Sequence, residues 1–114
     1  MIAGKTILVV EDEFIVAAML CDVIEDEGAQ VLGPAGSLAE ALELAAVEGI
    51  DAAVLDWNLG GEPGEPVARA LANRGVPFII ATGYGSVEGD FAGVPVLSKP
   101  YAPGRLLETL SALF

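Results

Sequence analysis

The sequence predicts a parallel α/β sheet. Short apolar runs alternate with helix-like segments of roughly a dozen residues, the rhythm of strands joined by crossover helices. The run ending at Asp56 is apolar throughout, as a strand covered on both faces should be. The runs also stop at chemically related residues. Ile7-Leu8-Val9-Val10 leads into Glu11-Asp12, Ala52-Ala53-Val54-Leu55 into Asp56, Phe78-Ile79-Ile80-Ala81 into Thr82, and Val94-Pro95-Val96-Leu97 into Ser98-Lys99. If these are parallel neighbours, their C-terminal ends share one edge. Three acids, a hydroxyl and an ammonium then meet in one cleft.

Each element has its own signals. The first helix should follow Asp12 and end near Glu27, with Gly28 as its stop. Val31-Leu32-Gly33 reads as a short second strand, and Gly33-Pro34-Ala35-Gly36 as a turn. No Gly-Lys-Ser/Thr follows it, which favours a turn over a phosphate loop. Ser37 and Glu40 have capping-box spacing and open a helix running to about Glu48, before Gly49. The third strand spans Asp51 to Asp56. A Gly/Pro-rich loop, Gly60 to Gly64, leads to a helix that ends near Arg74, and Pro77 opens the next strand. Four glycines between Gly83 and Gly93 limit any helix there to one or two turns. Pro103 suits a first helical position, and Leu106, Leu107, Leu110 and Leu113 repeat at helix spacing.

A chain of 114 residues fits one domain, 1–114, with no room for an output module. Its 54% apolar content suits a packed core. The longest apolar stretch, Phe14 to Cys21, is too short to cross a bilayer, and acids at 11 to 13 interrupt any signal-peptide pattern. A single cysteine, Cys21, forms no internal disulfide and suits a cytoplasmic setting. It shares the apolar side of the first helix with Ala17, Leu20 and Ile24, which points to packing rather than redox chemistry. A net charge of −12 disfavours nucleic acid and acidic membranes. The absence of histidine excludes a phosphohistidine carrier, a zinc–histidine site and a Ser–His hydrolase.

The convergent residues suggest a metal-and-phosphate cleft. Glu11, Asp12 and Asp56 would repel one another unless a cation intervened. All-oxygen ligands select a hard ion, Mg²⁺ or Mn²⁺. The backbone carbonyl after Asp56, that of Asn58, would add an oxygen. Asp56 is the expected nucleophile toward phosphorus. Lys99 and the Thr82 hydroxyl would each cover one phosphoryl oxygen.

The segments Val9-Val10-Glu11-Asp12-Glu13, Leu55-Asp56-Trp57-Asn58-Leu59, Ala81-Thr82-Gly83-Tyr84 and Lys99-Pro100-Tyr101 resemble the receiver domain of two-component response regulators. This resemblance implies a flavodoxin-like (CheY-like) doubly wound sheet of five parallel strands, order 2-1-3-4-5, with a reduced fourth helix. It implies that Glu11 and Asp12 hold Mg²⁺, Asp56 accepts a phosphoryl group, Thr82 is the switch hydroxyl, Lys99 binds the phosphate, and Pro100 is the cis proline. The expected partners are a histidine kinase or histidine phosphotransfer protein and an output protein. A monomer is expected, with a phosphorylation-linked dimer as the alternative. The run Pro77-Phe78-Ile79-Ile80-Ala81-Thr82-Gly83-Tyr84-Gly85 is also similar to the "FAT GUY" subgroup, single-domain receivers of alphaproteobacteria, although Ile80 stands where the subgroup's name puts Phe. Val96 replaces the switch aromatic found in many receivers, which leaves Tyr84 or Tyr101 as the replacement.

Other readings of these residues fare worse. Glu11-Asp12 alone would serve equally as helix-capping acids. Asp56-Trp57-Asn58-Leu59-Gly60 lacks an EF-hand's Glu at position twelve. A haloacid-dehalogenase-like phosphatase would need a second Asp where Asn58 stands. The alternative of a different class is a degenerate receiver, binding partners irrespective of phosphorylation. On a helical wheel Ile15 and Met19 lie with Asp22 and Asp26 on an outer face beside the cleft, where a histidine-bearing helix would dock.

Overall fold

The computed structural model describes residues 2–83, 91 and 93–114. Five strands form the main sheet: β1 (Thr6–Val10), β2 (Gln30–Ala35), β3 (Ala52–Asp56), β6 (Phe78–Thr82) and β7 (Val96–Ser98). Two shorter ones, β4 (Asn58–Leu59) and β5 (Glu62–Pro63), make a separate antiparallel hairpin between β3 and the following helix. All main-sheet pairings are parallel, in the order β2-β1-β3-β6-β7. Counting main-sheet strands alone, this is the expected 2-1-3-4-5. Four helices are described: α1 (Phe14–Asp26), α2 (Leu38–Ala45), α3 (Glu65–Asn73) and α4 (Pro103–Ser111).

Alternation along each strand divides the core into two layers. Leu8, Val10, Ala53, Leu55 and Ile80 face α2 and α3, where they meet Ala41, Ala45, Val67, Ala68 and Leu71. Ile7, Val9, Ala52, Val54 and Ile79 face the other way, toward Leu20 and Ile24 of α1 and Leu106 and Leu110 of α4. Every residue of β3 and β6 is buried, which explains why neither run alternates in polarity. The chain leaves β1 for β2 on one side and returns to β3 on the other. The cleft therefore opens at the carboxyl ends of β1 and β3, the switch point of the sheet.

The capping signal at Ser37 is realised. Its Oγ accepts from the Glu40 amide at 3.2 Å, and Glu40 Oε1 accepts from the Gly36 amide at 3.2 Å. The helix stops at Ala45 rather than near Glu48, and Arg74 Nη1 satisfies the freed Ala45 carbonyl at 2.8 Å.

The second strand is longer than expected, and Gly33-Pro34-Ala35 belongs to it rather than to a turn. Pairing shifts from Leu8↔Leu32 to Val10↔Ala35, so the edge strand bulges by one residue. Gly33 has φ +104, and a Cβ there would sit 2.8 Å from the Val9 carbonyl oxygen. Pro34, lacking a donor, is tolerated at this edge. The peptides Gly33-Pro34 and Lys99-Pro100 are both cis, the second as expected.

The last strand begins at Val96, two residues later than its apolar run. Of the interval expected to hold a reduced helix, residues 84–90 and 92 lie outside the described residues. Phe91 is buried edge-on against Trp57, with ring centroids 5.8 Å apart.

Gly64 ties the hairpin to β3. Its amide donates to the Trp57 carbonyl at 2.9 Å, and a Cβ there would lie 2.6 Å from the Asp56 carbonyl oxygen. Gly64→Ala should therefore lower the urea-unfolding free energy by about 1–3 kcal/mol, the usual cost of forcing a methyl group into closed space. An unchanged midpoint would contradict this packing.

Candidate functional site

Three polar side chains are buried among the described residues: Glu11, Asp56 and Thr82, each 3% exposed. Each stands at the end of a strand or directly after it. Buried polar groups gathered at one edge of a sheet mark a site with more force than surface charge does. Asp12 follows Glu11 but is exposed, so it faces the cleft from the solvent side.

Carboxylate oxygens of Glu11, Asp12 and Asp56 all lie within 4.8 Å of one another. Lys99 is placed by the last strand, its amide donating to the Thr82 carbonyl at 2.9 Å. Its Nζ lies 3.0 Å from Asp56 Oδ2 and 3.0 Å from Glu11 Oε1, with Glu13 Oε1 farther off at 3.9 Å. The second oxygen of Asp56 accepts from the Asn58 amide at 3.1 Å, and Glu11 Oε2 accepts from the Glu13 amide at 3.0 Å. These bonds hold both carboxylates in place.

The electrostatics follow from the crowding. Burial pushes the Glu11 carboxyl up to about 7, with the neighbouring Asp56 adding to the rise against the Glu13 amide and Lys99. Burial also works against the charge on Asp12. Hydrogen bonds with Asp56, its own amide, Glu11 and the Gly60 amide nevertheless hold it below its ordinary value. Lys99 loses some charge preference to burial but is raised on balance by its bonds to Glu11 and Asp56. An oxygen-only cluster with this repulsion fits a hard divalent cation.

The cleft encloses about 530 Å³. Thr82, Lys99, Asp56, Asp12 and Asn58 line it, as the sequence predicts. The role expected for Tyr84 falls outside the described residues. The hairpin β4–β5 was not expected, yet Gly60, Gly61, Glu62 and Pro63 form one wall. Leu59 pairs with Glu62, leaving Gly60 and Gly61 as a two-residue turn with φ +61 and +94. A Gly-Gly pair between two short strands is a hairpin signal, so this wall was legible in principle. Asn58 Oδ1 closes the turn by accepting from the Gly61 amide at 2.8 Å.

Beside the cleft, Phe14 and Ile15 are 85% and 82% exposed. Met19 is not on that outer face. It is half-buried against the α1–α4 layer and lines a small recess with Val16, Pro100 and Tyr101. The phenol oxygen of Tyr101 is buried without a hydrogen-bond partner, and burial together with the Glu11 charge raises its pKa to about 12. Val96, in the place of a switch aromatic, is half-buried on the α2–α3 side.

A doubly wound parallel sheet with a lysine-bridged carboxylate cluster at its switch point defines a phosphoryl-binding signalling fold. The chain belongs to the response regulator receiver domain family, whose model matches residues 7–111. Among curated proteins it is 30% identical to the phosphate regulon transcriptional regulatory protein PhoB of Pseudomonas aeruginosa, across 96% of this chain. It covers 52% of that protein, so it spans about half the length of the curated relatives it matches.

Among solved structures, SdrG from Sphingomonas melonis Fr1 is 45% identical with a TM-score of 0.85, over 99% of this chain and 98% of that one. A response regulator from Burkholderia pseudomallei, with a phosphorylated aspartic acid, calcium ion and citrate, is 27% identical, with a TM-score of 0.80 over 94% and 66% of the two chains. The receiver domain of the sensor histidine kinase PA1611 from Pseudomonas aeruginosa PAO1, with magnesium in its active-site cleft, is 26% identical, with a TM-score of 0.82 over 97% and 98%.

The raised Glu11 carboxyl sets a pH dependence. Below about pH 7 it keeps its proton, which a divalent cation must displace. Mg²⁺ affinity, followed by the fluorescence of Trp57, should therefore tighten by up to about tenfold from pH 6 to pH 8. A flat affinity over that range would contradict the protonation.

Proposed function

We propose that this chain works as a stand-alone response regulator in which Asp56 accepts a phosphoryl group from phosphohistidine on a kinase or phosphotransfer protein. The observation that carries this reading is the state of Asp56. It is buried at the floor of an open cleft, with one oxygen on Lys99 and the other on a backbone amide. The phosphorylated aspartic acid of the Burkholderia pseudomallei regulator supports it.

An Asp56 carboxylate oxygen attacks phosphorus, the phosphorus–nitrogen bond breaks, and the imidazole leaves with the electron pair. Lys99 gives up its contact with Asp56 Oδ2 and turns its charge to a phosphoryl oxygen. Thr82, buried at the rim, offers its hydroxyl to another and so reads whether the group is present. Glu11, Asp12 and Asp56, with the Asn58 carbonyl, would hold Mg²⁺ or Mn²⁺, which supplies positive charge for the remaining phosphoryl oxygen. The magnesium in the PA1611 receiver supports that choice.

The donor's histidine-bearing helix is placed against exposed Phe14 and Ile15, at the end of α1 nearest the cleft. The run Pro77 to Gly85 supports the narrower placement among single-domain receivers of the "FAT GUY" kind. Output then passes by protein contact, or the domain serves as a relay or phosphate sink in the cytoplasm.

The test is transfer of label from a phosphorylated kinase or phosphotransfer protein. Wild type should be labelled in the presence of Mg²⁺, and Asp56→Ala should lose the label entirely. Persistent labelling of that variant would overturn the assignment. Partner capture that ignores the same substitution would favour a phosphorylation-independent adaptor instead.

A further inference from the structure

The cleft carries more negative charge than accepting a phosphoryl group requires. Besides Asp12 and Asp56, it is lined by Glu13 at the start of α1 and Glu62 on β5, on different walls. Glu13 lies 3.9 Å from Lys99, beyond hydrogen-bonding distance, while the Lys99 ammonium is engaged at 3.0 Å by Glu11 and Asp56. The Glu62 side chain has no partner among the described residues. Lys99 is the only basic residue lining the cleft among the described residues. Four carboxylates thus face one ammonium, and a bound divalent cation would still leave the mouth net negative.

We propose that Glu13 and Glu62 are specificity-determining residues that repel small anionic phosphodonors and favour a phosphohistidine flanked by cationic groups on a protein surface. The proposal rests on Asp56 being the phospho-acceptor. A phosphoryl donor arrives as an anion, and like charges at the rim slow its entry. A donor protein presenting lysine or arginine beside its phosphohistidine meets the same field as attraction. The net charge of −12 reinforces the field at long range.

The test compares two small donors at saturating Mg²⁺, with phosphorylation read as the mass gain of the intact chain. With acetyl phosphate, the bond from phosphorus to the acetyl oxygen breaks, Asp56 takes the phosphoryl group and acetate leaves. With phosphoramidate the phosphorus–nitrogen bond breaks and ammonia leaves. Near neutral pH acetyl phosphate carries the greater negative charge.

Glu62→Gln and Glu13→Gln should each speed labelling by acetyl phosphate about three- to tenfold, and by phosphoramidate less. Glu62→Lys should exceed Glu62→Gln. The gain should shrink as salt rises from about 20 mM to 500 mM, where screening is short-ranged. Glu48→Gln, beyond the far end of α2, should match wild type.

Equal acceleration with both donors, or a gain unaffected by salt, would overturn the electrostatic filter while leaving Asp56 as acceptor. Unchanged rates in all rim variants would do the same. No Asp56-dependent mass gain from either donor in any rim variant would overturn the filter, whereas the acceptor reading stands or falls on transfer from the phosphorylated protein donor.

Discussion

Three carboxylates held within 4.8 Å of one another are the constraint on which the rest of the structure turns. Left alone, such a cluster would protonate, swell or pull its loops apart. Here Lys99 stands between Glu11 and Asp56 at 3.0 Å from each, and it reaches that place only because β7 runs parallel to β6 in a register that pairs Thr82 with Ser98. One residue of slip would turn Lys99 to the other face of the sheet. The packed layers on both faces, with Ile80 and Leu97 inward on opposite sides, make such a slip costly. Core packing and site electrostatics are therefore one problem: the apolar layers hold the register, and the register holds the charges.

The balance in the cleft is incomplete, and that incompleteness gives it chemistry. Burial, aided by the neighbouring Asp56 and only partly opposed by Lys99, drives Glu11 toward its neutral form near pH 7. The acidic group is buried, with its unfolded value near 4.5. As pH rises from there toward 7, the folded state must give up a proton it favours keeping, and the metal-free domain loses stability. A divalent cation reverses this penalty. Phosphorylation at Asp56 would draw Lys99 to the phosphoryl oxygens and leave Glu11 with its amide bond from Glu13.

Much of this was legible because parallel strands buried on both faces leave a plain mark. Val9-Val10-Glu11-Asp12 and Val54-Leu55-Asp56 show an abrupt change from apolar to acidic that few other arrangements produce. The two core layers were not separable in advance, because a fully apolar strand does not say which residue faces which helix. The end of α2 falls earlier than its local signals place it, and the Ala45 carbonyl freed there is satisfied by Arg74, 29 residues away. Gly33-Pro34 looked like a turn because glycine and proline mark bulged edge strands as well. The wheel of α1 put Met19 outside, whereas contact with the Tyr101 recess draws a flexible thioether inward.

The hairpin β4–β5 shows how a site gains a wall without another layer of fold. Its turn needs positive φ at both Gly60 and Gly61, and its base needs a residue without a side chain at Gly64. Three glycines thus hold a two-stranded flap whose own contacts are too few for stability in isolation. The flap stands because β3 carries it directly after Asp56. Any side chain on it is positioned relative to the reacting carboxylate with little slack. That places Glu62 at the rim by backbone geometry rather than by a partner of its own, and a charge held this way acts on whatever enters the cleft.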